Sequence, residues 1–136
     1  MFLKRIAIVG GGPAGAFAAR ELAAAGREIF LFDEKLAWEK PCGGGLTSKA
    51  LQRWPFLVDS AHQSNWITHC QLVSPSGRKV AFQLDRQIAI FSRFTLNGFL
   101  LERAQAAGAR LLRQRVVEIE GKPGDWNLKT DRKSVV

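Results

Sequence analysis

Lys4-Arg5-Ile6-Ala7-Ile8-Val9-Gly10-Gly11-Gly12-Pro13-Ala14-Gly15 is an apolar strand running straight into a Gly-x-Gly-x-x-Gly turn and then into an alanine-rich helix. A dinucleotide site accounts for each glycine of that pattern. Gly10 permits the tight turn off the strand, Gly12 removes a side chain so that backbone N–H groups reach a pyrophosphate, and Gly15 lets the helix pack close to the sheet. The helix N-terminus adds a partial positive charge facing the phosphates.

The flanks carry the inference further than the turn alone. Ala18, Ala19, Leu22 and Ala23 give the helix a small apolar face, and Gly26 is placed to end it with φ > 0. Ile29-Phe30-Leu31-Phe32 reads as a second strand that stops at Asp33, twenty-three residues after Gly10. An acidic side chain roughly 20 residues beyond the turn meets a ribose hydroxyl, so Asp33 is the first candidate and Glu34 the alternative. This spacing suits NAD as well as FAD. A second glycine cluster, Cys42-Gly43-Gly44-Gly45-Leu46, follows the ribose-side strand. Three consecutive glycines imply positive φ or close backbone approach to something.

Gly12-Pro13-Ala14-Gly15, followed by Ala19 and Gly26, resembles the N-terminal FAD motif of flavoprotein oxidoreductases and monooxygenases. At this spacing Lys40-Pro41-Cys42-Gly43-Gly44-Gly45-Leu46 resembles the geranylgeranyl reductase family of FAD-dependent oxidoreductases, whose wider fold is typified by p-hydroxybenzoate hydroxylase. Ser92-Arg93-Phe94-Thr95-Leu96-Asn97-Gly98-Phe99-Leu100 resembles that family's Arg-x-x-Phe-Asp-x-x-Leu helix start, with Leu96 replacing the aromatic and Asn97 the aspartate. Asn97 is expected to sit at the helix start, where Asn caps as well as Asp.

The resemblance implies an α/β fold, a Rossmann-like FAD-binding βαβ unit with a parallel sheet, and residues 66–92 as the start of a β-rich inserted substrate-domain segment. It implies FAD, with Gly10, Gly12, Pro13, Ala14 and Gly15 at the pyrophosphate and Asp33, flanked by Glu34 and Lys35, at the ribose. Cys42, Gly43, Gly44, Gly45 and Leu46 would lie on the flavin side, and Arg93 would add a charge near the nucleotide. The implied reaction is reduction of carbon–carbon double bonds in a prenyl chain by reduced flavin, with NAD(P)H a candidate electron donor. No catalytic acid or base can be named. The alternatives are a flavin monooxygenase or halogenase of the same fold, a nicotinamide-binding module, and an inactive truncated fragment.

Composition fits a globular α/β protein expected in the cytoplasm: 46% of the 136 residues are hydrophobic and 24% charged. No run approaches the roughly 20 apolar residues of a membrane span, and the N-terminal apolar run is too short and too quickly broken by glycine for a signal peptide. The net charge of +8 leaves peripheral membrane contact open for a prenyl-lipid enzyme, but the basic residues are scattered and form no polybasic anchor. Nucleic-acid binding is not expected, because aromatic and basic residues are not interleaved in a recognisable module. Cys42 and Cys70 are in no Cys-x-x-Cys pair, so neither a zinc site nor a disulfide framework is indicated. Cys42 reads as a small buried thiol with only Lys40 beside it to lower its pKa. His62 and His69 lack metal-ligand spacing, and Trp38, Trp54, Trp66 and Trp126 read as packing residues.

The remaining chain predicts a short helix from Thr47 to Trp54 ended by Pro55, strands at Trp66 to Val73 and Lys79 to Leu84 around Pro75-Ser76-Gly77, and a separate short strand at Ile88 to Phe91. A helix with Leu96, Phe99, Leu100, Ala104 and Ala107 on one face ends at Gly108. Val116 to Ile119 and Trp126 to Thr130 form a final strand pair. Residues 1–130 are expected to be the N-terminal part of an oxidoreductase domain. Residues 131–136 are expected to be a non-native tail of a shortened gene product, since GAT CGG AAG AGC GTC GTG encodes Asp131-Arg132-Lys133-Ser134-Val135-Val136 and resembles a sequencing adapter followed by a stop.

Overall fold

The computed structural model describes residues 5–58 and 64–132. His62 and the last four residues of the expected tail lie outside them. The chain divides into two compact units: the first runs to Trp38 and resumes at Leu96, and the second is Glu39–Thr95.

The first unit is built on a parallel sheet of order β1 (Arg5–Val9), β2 (Glu28–Phe32) and a third strand, Arg110–Leu112. Register runs from Arg5 opposite Glu28 to Val9 opposite Phe32, and from Phe30 opposite Arg110 to Phe32 opposite Leu112. The central strand is the most buried, as a strand paired on both sides should be, and its sequence is a continuous apolar run. Ile29 and Leu31 are fully buried, and Phe30 and Phe32 nearly so. Each contributes about 1.5–3 kcal/mol of burial.

Helix α1 (Pro13–Ala24) follows the glycine turn, with proline in its first turn, where a missing N–H costs nothing. It buries Ala16, Ala19 and Ala23, whereas Ala18 and Leu22 of the expected face are only half-buried. The roll of the helix is set at Gly15, where a Cβ would fall on the carbonyl oxygen of Gly10. Gly26, at φ +76, closes α1: its N–H bonds Ala23 O and the next N–H, of Arg27, bonds Leu22 O.

The second unit holds a three-stranded antiparallel sheet and a helix. Strand β3 (Gly45–Leu46) pairs with β5 (Lys79–Ile90), which pairs with β4 (Asn65–Val73). The turn from Ser74 to Arg78 has Gly77 at φ +81, as the Pro75-Ser76-Gly77 signal implied. The expected break before Ile88 shows in the pairing rather than in the strand itself. β5 continues through Asp85, Arg86 and Gln87, but its ladder to β4 is interrupted there: Ile67 lies opposite Ile88 and His69 opposite Gln83, so Leu84 to Gln87 bulge against the single residue Thr68. These polar residues are tolerated because the ribbon is largely exposed. Helix α2 (Ser48–Arg53) starts under a Thr47 cap, whose hydroxyl accepts from Ala50 N at 3.3 Å, and a 3-10 turn, Pro55–Leu57, follows.

Helix α3 (Arg93–Ala106) leads back into the first unit. It is capped by Ser92, five residues before the expected Asn97, and the Ser92 Oγ accepts from Thr95 N at 3.3 Å. Leu96, Leu100, Leu101 and Ala104 are buried along it, while Phe99 and Ala107 of the expected face are half-buried. Gly108, at φ +104, ends it in the same way as Gly26 ends α1. Beyond it come β6, the third sheet strand at Arg110–Leu112, and the antiparallel hairpin of β7 (Val116–Lys122) and β8 (Asp125–Thr130). Asp131, assigned to the tail by sequence, exchanges hydrogen bonds with Arg115: its N–H donates to Arg115 O at 2.9 Å and its Oδ1 accepts from Arg115 N at 3.0 Å.

Gly15→Ala tests the close approach of α1 to the turn. Because the carbonyl of Gly10 must move, the variant should lose about 1–3 kcal/mol of stability in urea unfolding; an unchanged midpoint would contradict the packing.

Candidate dinucleotide site

The turn between β1 and α1 is held from β2. Gly10 N donates to Phe32 O at 2.8 Å, and Gly11 N donates to Asp33 Oδ2 at 2.8 Å. Gly11, which the motif leaves unspecified, has its own packing reason to lack a side chain: a Cβ there would lie 3.0 Å from Asp33 Cβ and 3.2 Å from Leu31 Cδ2. Gly12 is the opposite case. Its backbone, at φ −67 and ψ 179, suits any residue, and a Cβ would meet nothing within 4 Å. Nothing in the chain requires glycine there.

Gly12 is also the N-cap of α1, with no side chain capping the helix. The first N–H groups of an α-helix have no intrahelical acceptor, and an anion is their natural partner. Open space at Gly12, an uncapped helix end and the N–H groups of Ala14 and Gly15 therefore fit a pyrophosphate. Pro13 contributes no N–H and serves to start the helix.

Asp33 stands where the ribose contact is expected, but its carboxylate is already engaged by backbone. Oδ2 takes Gly11 N, while Oδ1 takes Lys35 N at 2.8 Å and Leu36 N at 2.6 Å. A carboxylate has about four acceptor positions, so three bonds leave room for one ribose hydroxyl. Replacing Asp33 would also strip three N–H groups of their acceptor, so such a change does not isolate a ribose contact. Of the neighbours, Glu34 is exposed and offers only its carbonyl, to Arg113 Nε at 3.4 Å; Lys35 lays its ammonium over Trp38, 4.1 Å from the ring centroid.

The sequence placed Asn97 at a helix start, which the structure corrects. It lies inside α3, 4% exposed, and its Nδ2 donates to Gly11 O at 2.8 Å and Leu36 O at 3.1 Å. A buried amide with two carbonyls in reach makes bonds that no exposed cap could. Leu36 has the left-handed backbone, φ +61, unusual for a non-glycine residue. No signal in its own sequence announces that turn.

In the second unit the three glycines of the cluster separate. Gly44, at φ +63, is pressed against Phe91, whose carbonyl a Cβ would overlap, and its own carbonyl accepts from Phe91 N at 3.0 Å. The close approach expected there is thus to the chain itself. Gly43 has open space around it, Gly45 only ordinary contact with Ile90, and Leu46 is half-buried in β3. Cys42 is exposed, not a buried hydrophobe. Its thiol is held below the ordinary range first by Gly44 N, 3.5 Å from Sγ, and then by the hydrogen bond and charge of Arg93, with Lys40 a smaller influence. Arg93 Nε is buried without a hydrogen-bond partner.

The residue that sequence reasoning missed here is Glu39. Its carboxylate accepts from Ser92 Oγ at 2.5 Å, Arg93 N at 3.1 Å and Phe94 N at 3.2 Å, capping α3 from 53 residues away. An acid at a helix N-terminus meets the positive end of the dipole. The Ser92 bond, then the two N–H groups, hold its pKa below the usual carboxylate value.

An open cleft of about 810 Å³ lies elsewhere, between β1, β2 and the β7–β8 hairpin, lined by Val9, Phe30, Phe32, Ile119 and Trp126. It is apolar sheet surface and holds none of the expected site residues. Among the described residues no cluster of His, Cys, Asp or Glu could hold a metal ion, and no helix is long and apolar enough to cross a membrane.

Gly12→Val should leave the unfolding midpoint near that of the wild type while abolishing dinucleotide retention on gel filtration; retention equal to wild type would remove Gly12 from the site. A depressed carboxylate stabilises the fold above its unfolded pKa and loses that contribution as pH falls through its folded one. Glu39→Gln should therefore unfold at a lower temperature than wild type near neutral pH, with the gap closing once pH drops below about 4. A gap that stays constant to about pH 3 would contradict the cap.

The sequence model of the pyridine nucleotide-disulphide oxidoreductases matches residues 4–133. Geranylgeranyl diphosphate reductase of Synechocystis sp. is 34% identical over 123 residues, 85% of this chain and 29% of that protein. The chloroplastic enzyme of Nicotiana tabacum is 35% identical over 112 residues, 79% of this chain and 24% of that protein. Digeranylgeranylglycerophospholipid reductase 1 of Methanopyrus kandleri is 30% identical over 108 residues, 78% and 28%. Among solved structures, a geranylgeranyl bacteriochlorophyll reductase-like protein of Thermoplasma acidophilum superposes with TM-score 0.76 at 20% identity, over 95% of this chain and 35% of that one. Halogenase PltM in complex with phloroglucinol and FAD gives 0.72 at 17%, over 98% and 32%. At those identities the structural likeness speaks for the fold alone, and this chain spans a quarter to a third of the length of these proteins. The α/β architecture read from the glycine turn is found, and the chain belongs to the pyridine nucleotide-disulphide oxidoreductase family.

Proposed function

We propose that this chain is the nucleotide-binding part of an FAD-dependent oxidoreductase that reduces carbon–carbon double bonds of a prenyl substrate. The observation that carries the proposal is the similarity, at 30–35% identity over most of the chain, to reductases of geranylgeranyl compounds in cyanobacteria, plants and archaea. Bound FAD would supply the hydride, and its isoalloxazine would do the redox chemistry. The chain's own part is to hold and orient. The N–H groups at the start of α1 bind the pyrophosphate beside Gly12, and the remaining acceptor of Asp33 takes a ribose hydroxyl. Arg93 offers Nε to the nucleotide, and Cys42 stands beside it.

A halogenase or monooxygenase shares this fold, and the likeness to halogenase PltM keeps that second reading in view. The Cys42 to Leu46 segment favours the reductase. A prenyl lipid would bring the protein to a membrane surface, and the basic charge is compatible with that approach. NAD(P)H is one donor to be tried against a chemical reductant.

The complete protein, reconstituted with FAD and reduced under anaerobic conditions, should convert geranylgeranyl diphosphate to products with fewer double bonds, read by mass spectrometry. No change in the prenyl chain, together with oxygen-dependent NAD(P)H consumption on an aromatic substrate, would overturn the reductase reading in favour of the monooxygenase one.

A further inference from the structure

Asn97 and Asp33 hold the same two residues, one by their N–H groups and the other by their carbonyls. Asp33 accepts the N–H of Gly11 and of Leu36; Asn97 donates to the C=O of Gly11 and of Leu36. The main-chain N–H and C=O of both Gly11 and Leu36 are thus taken up by two side chains. The amide orientation is fixed by this arrangement, because turning it over would set an oxygen against two carbonyl oxygens. Among the described residues Asn97 is the buried polar side chain, and burial makes each of its bonds expensive to lose.

We propose that Asn97 is a positioning residue for the dinucleotide. Its pair of amide donors clamps the pyrophosphate turn at Gly11 to the ribose-side turn at Leu36. That keeps the Gly12 peptide and Asp33 at a fixed separation before any nucleotide arrives. Without the clamp, Leu36 would leave its left-handed conformation and Asp33 would lose the loop that orients it. The role rests on the dinucleotide reading of the turn.

The clamp needs donors, so an aspartate cannot replace it. A carboxylate at position 97 would offer none, would face two carbonyl oxygens, and would sit across Gly11 and Leu36 from Asp33. Protonated, it would regain one donor. The charged groups on the segments carrying its partners are Asp33, Glu34 and Lys35 after β2, with Arg93 one turn earlier on α3; the turn from Gly10 to Gly15 carries none. Burial and the neighbouring acid would raise the pKa of the introduced carboxyl.

The test is FAD titration by flavin fluorescence on the complete protein, wild type against Asn97→Asp and Asn97→Ala, each ratio taken at the same pH. Asn97→Ala should bind roughly tenfold more weakly at every pH, as for one or two lost hydrogen bonds. Asn97→Asp should bind at least as weakly at about pH 8 and recover toward wild type at about pH 5, where its carboxyl is protonated. A merely space-filling role would give no such pH dependence. Either variant binding as wild type does at about pH 8, or an Asn97→Asp ratio that is flat across this range, would overturn the proposal. If Asn97→Ala does not fold, the Asn97→Asp ratio decides alone. Unfolding temperatures without flavin separate the two readings. A wild type that takes up no FAD, with an Asn97→Asp deficit in unfolding temperature that shrinks toward low pH, would overturn the dinucleotide reading and leave the clamp standing.

Discussion

Three backbone N–H groups converge on the carboxylate of Asp33, and the geometry of the glycine turn follows from where that carboxylate sits. Its position is set by β2, the most buried strand of the chain. Asp33 N itself extends the parallel ladder by donating to Leu112 O at 3.1 Å, so the side chain leaves a rigid strand end. From there it reaches back to Gly11 and forward to Leu36, tying two turns that sequence places 25 residues apart. A charge-assisted bond to backbone is stronger than a neutral one. The same carboxylate keeps one acceptor position open, the one that the proposed ribose contact would use.

The glycines around it divide by cause. Gly15 is demanded by the carbonyl of Gly10 and Gly11 by Asp33 and Leu31, whereas Gly12 is demanded by nothing in the chain. That open position is the one on which the proposed pyrophosphate contact rests. The second unit repeats the logic. Gly44 is required by its own φ and by Phe91, yet Gly43 beside it stands in open space. Cys42 and Arg93 flank that cluster, with Glu39 holding the helix end from which Arg93 projects.

The parallel strands β1 and β2, α1 and the hairpins are legible because each is announced by a local pattern: a continuous apolar run, a proline start, a glycine stop. Where the expectations fail, the causes are not local. Strands at Gly45–Leu46 and Arg110–Leu112 are too short to show a period and exist only through their partners. The start of α3 was misplaced because the cap is assembled from Ser92 and the distant Glu39, and Asn97, a good cap by type, is recruited as an interior donor instead. Cys42 was misjudged because its most effective neighbours, Gly44 N and Arg93, come near it only in the folded chain. Candidate residues were named by motif, but the bonds that fix them cross from 22 to 86 residues of sequence.

The central claim is that the turn from Gly10 to Gly15, with Asp33 behind it, holds FAD. Its most direct measurement is the flavin content of the complete wild-type protein after gel filtration, read as visible absorbance against protein concentration. One FAD per chain is the predicted result. A colourless protein that cannot be loaded with FAD but binds a nicotinamide dinucleotide would contradict it.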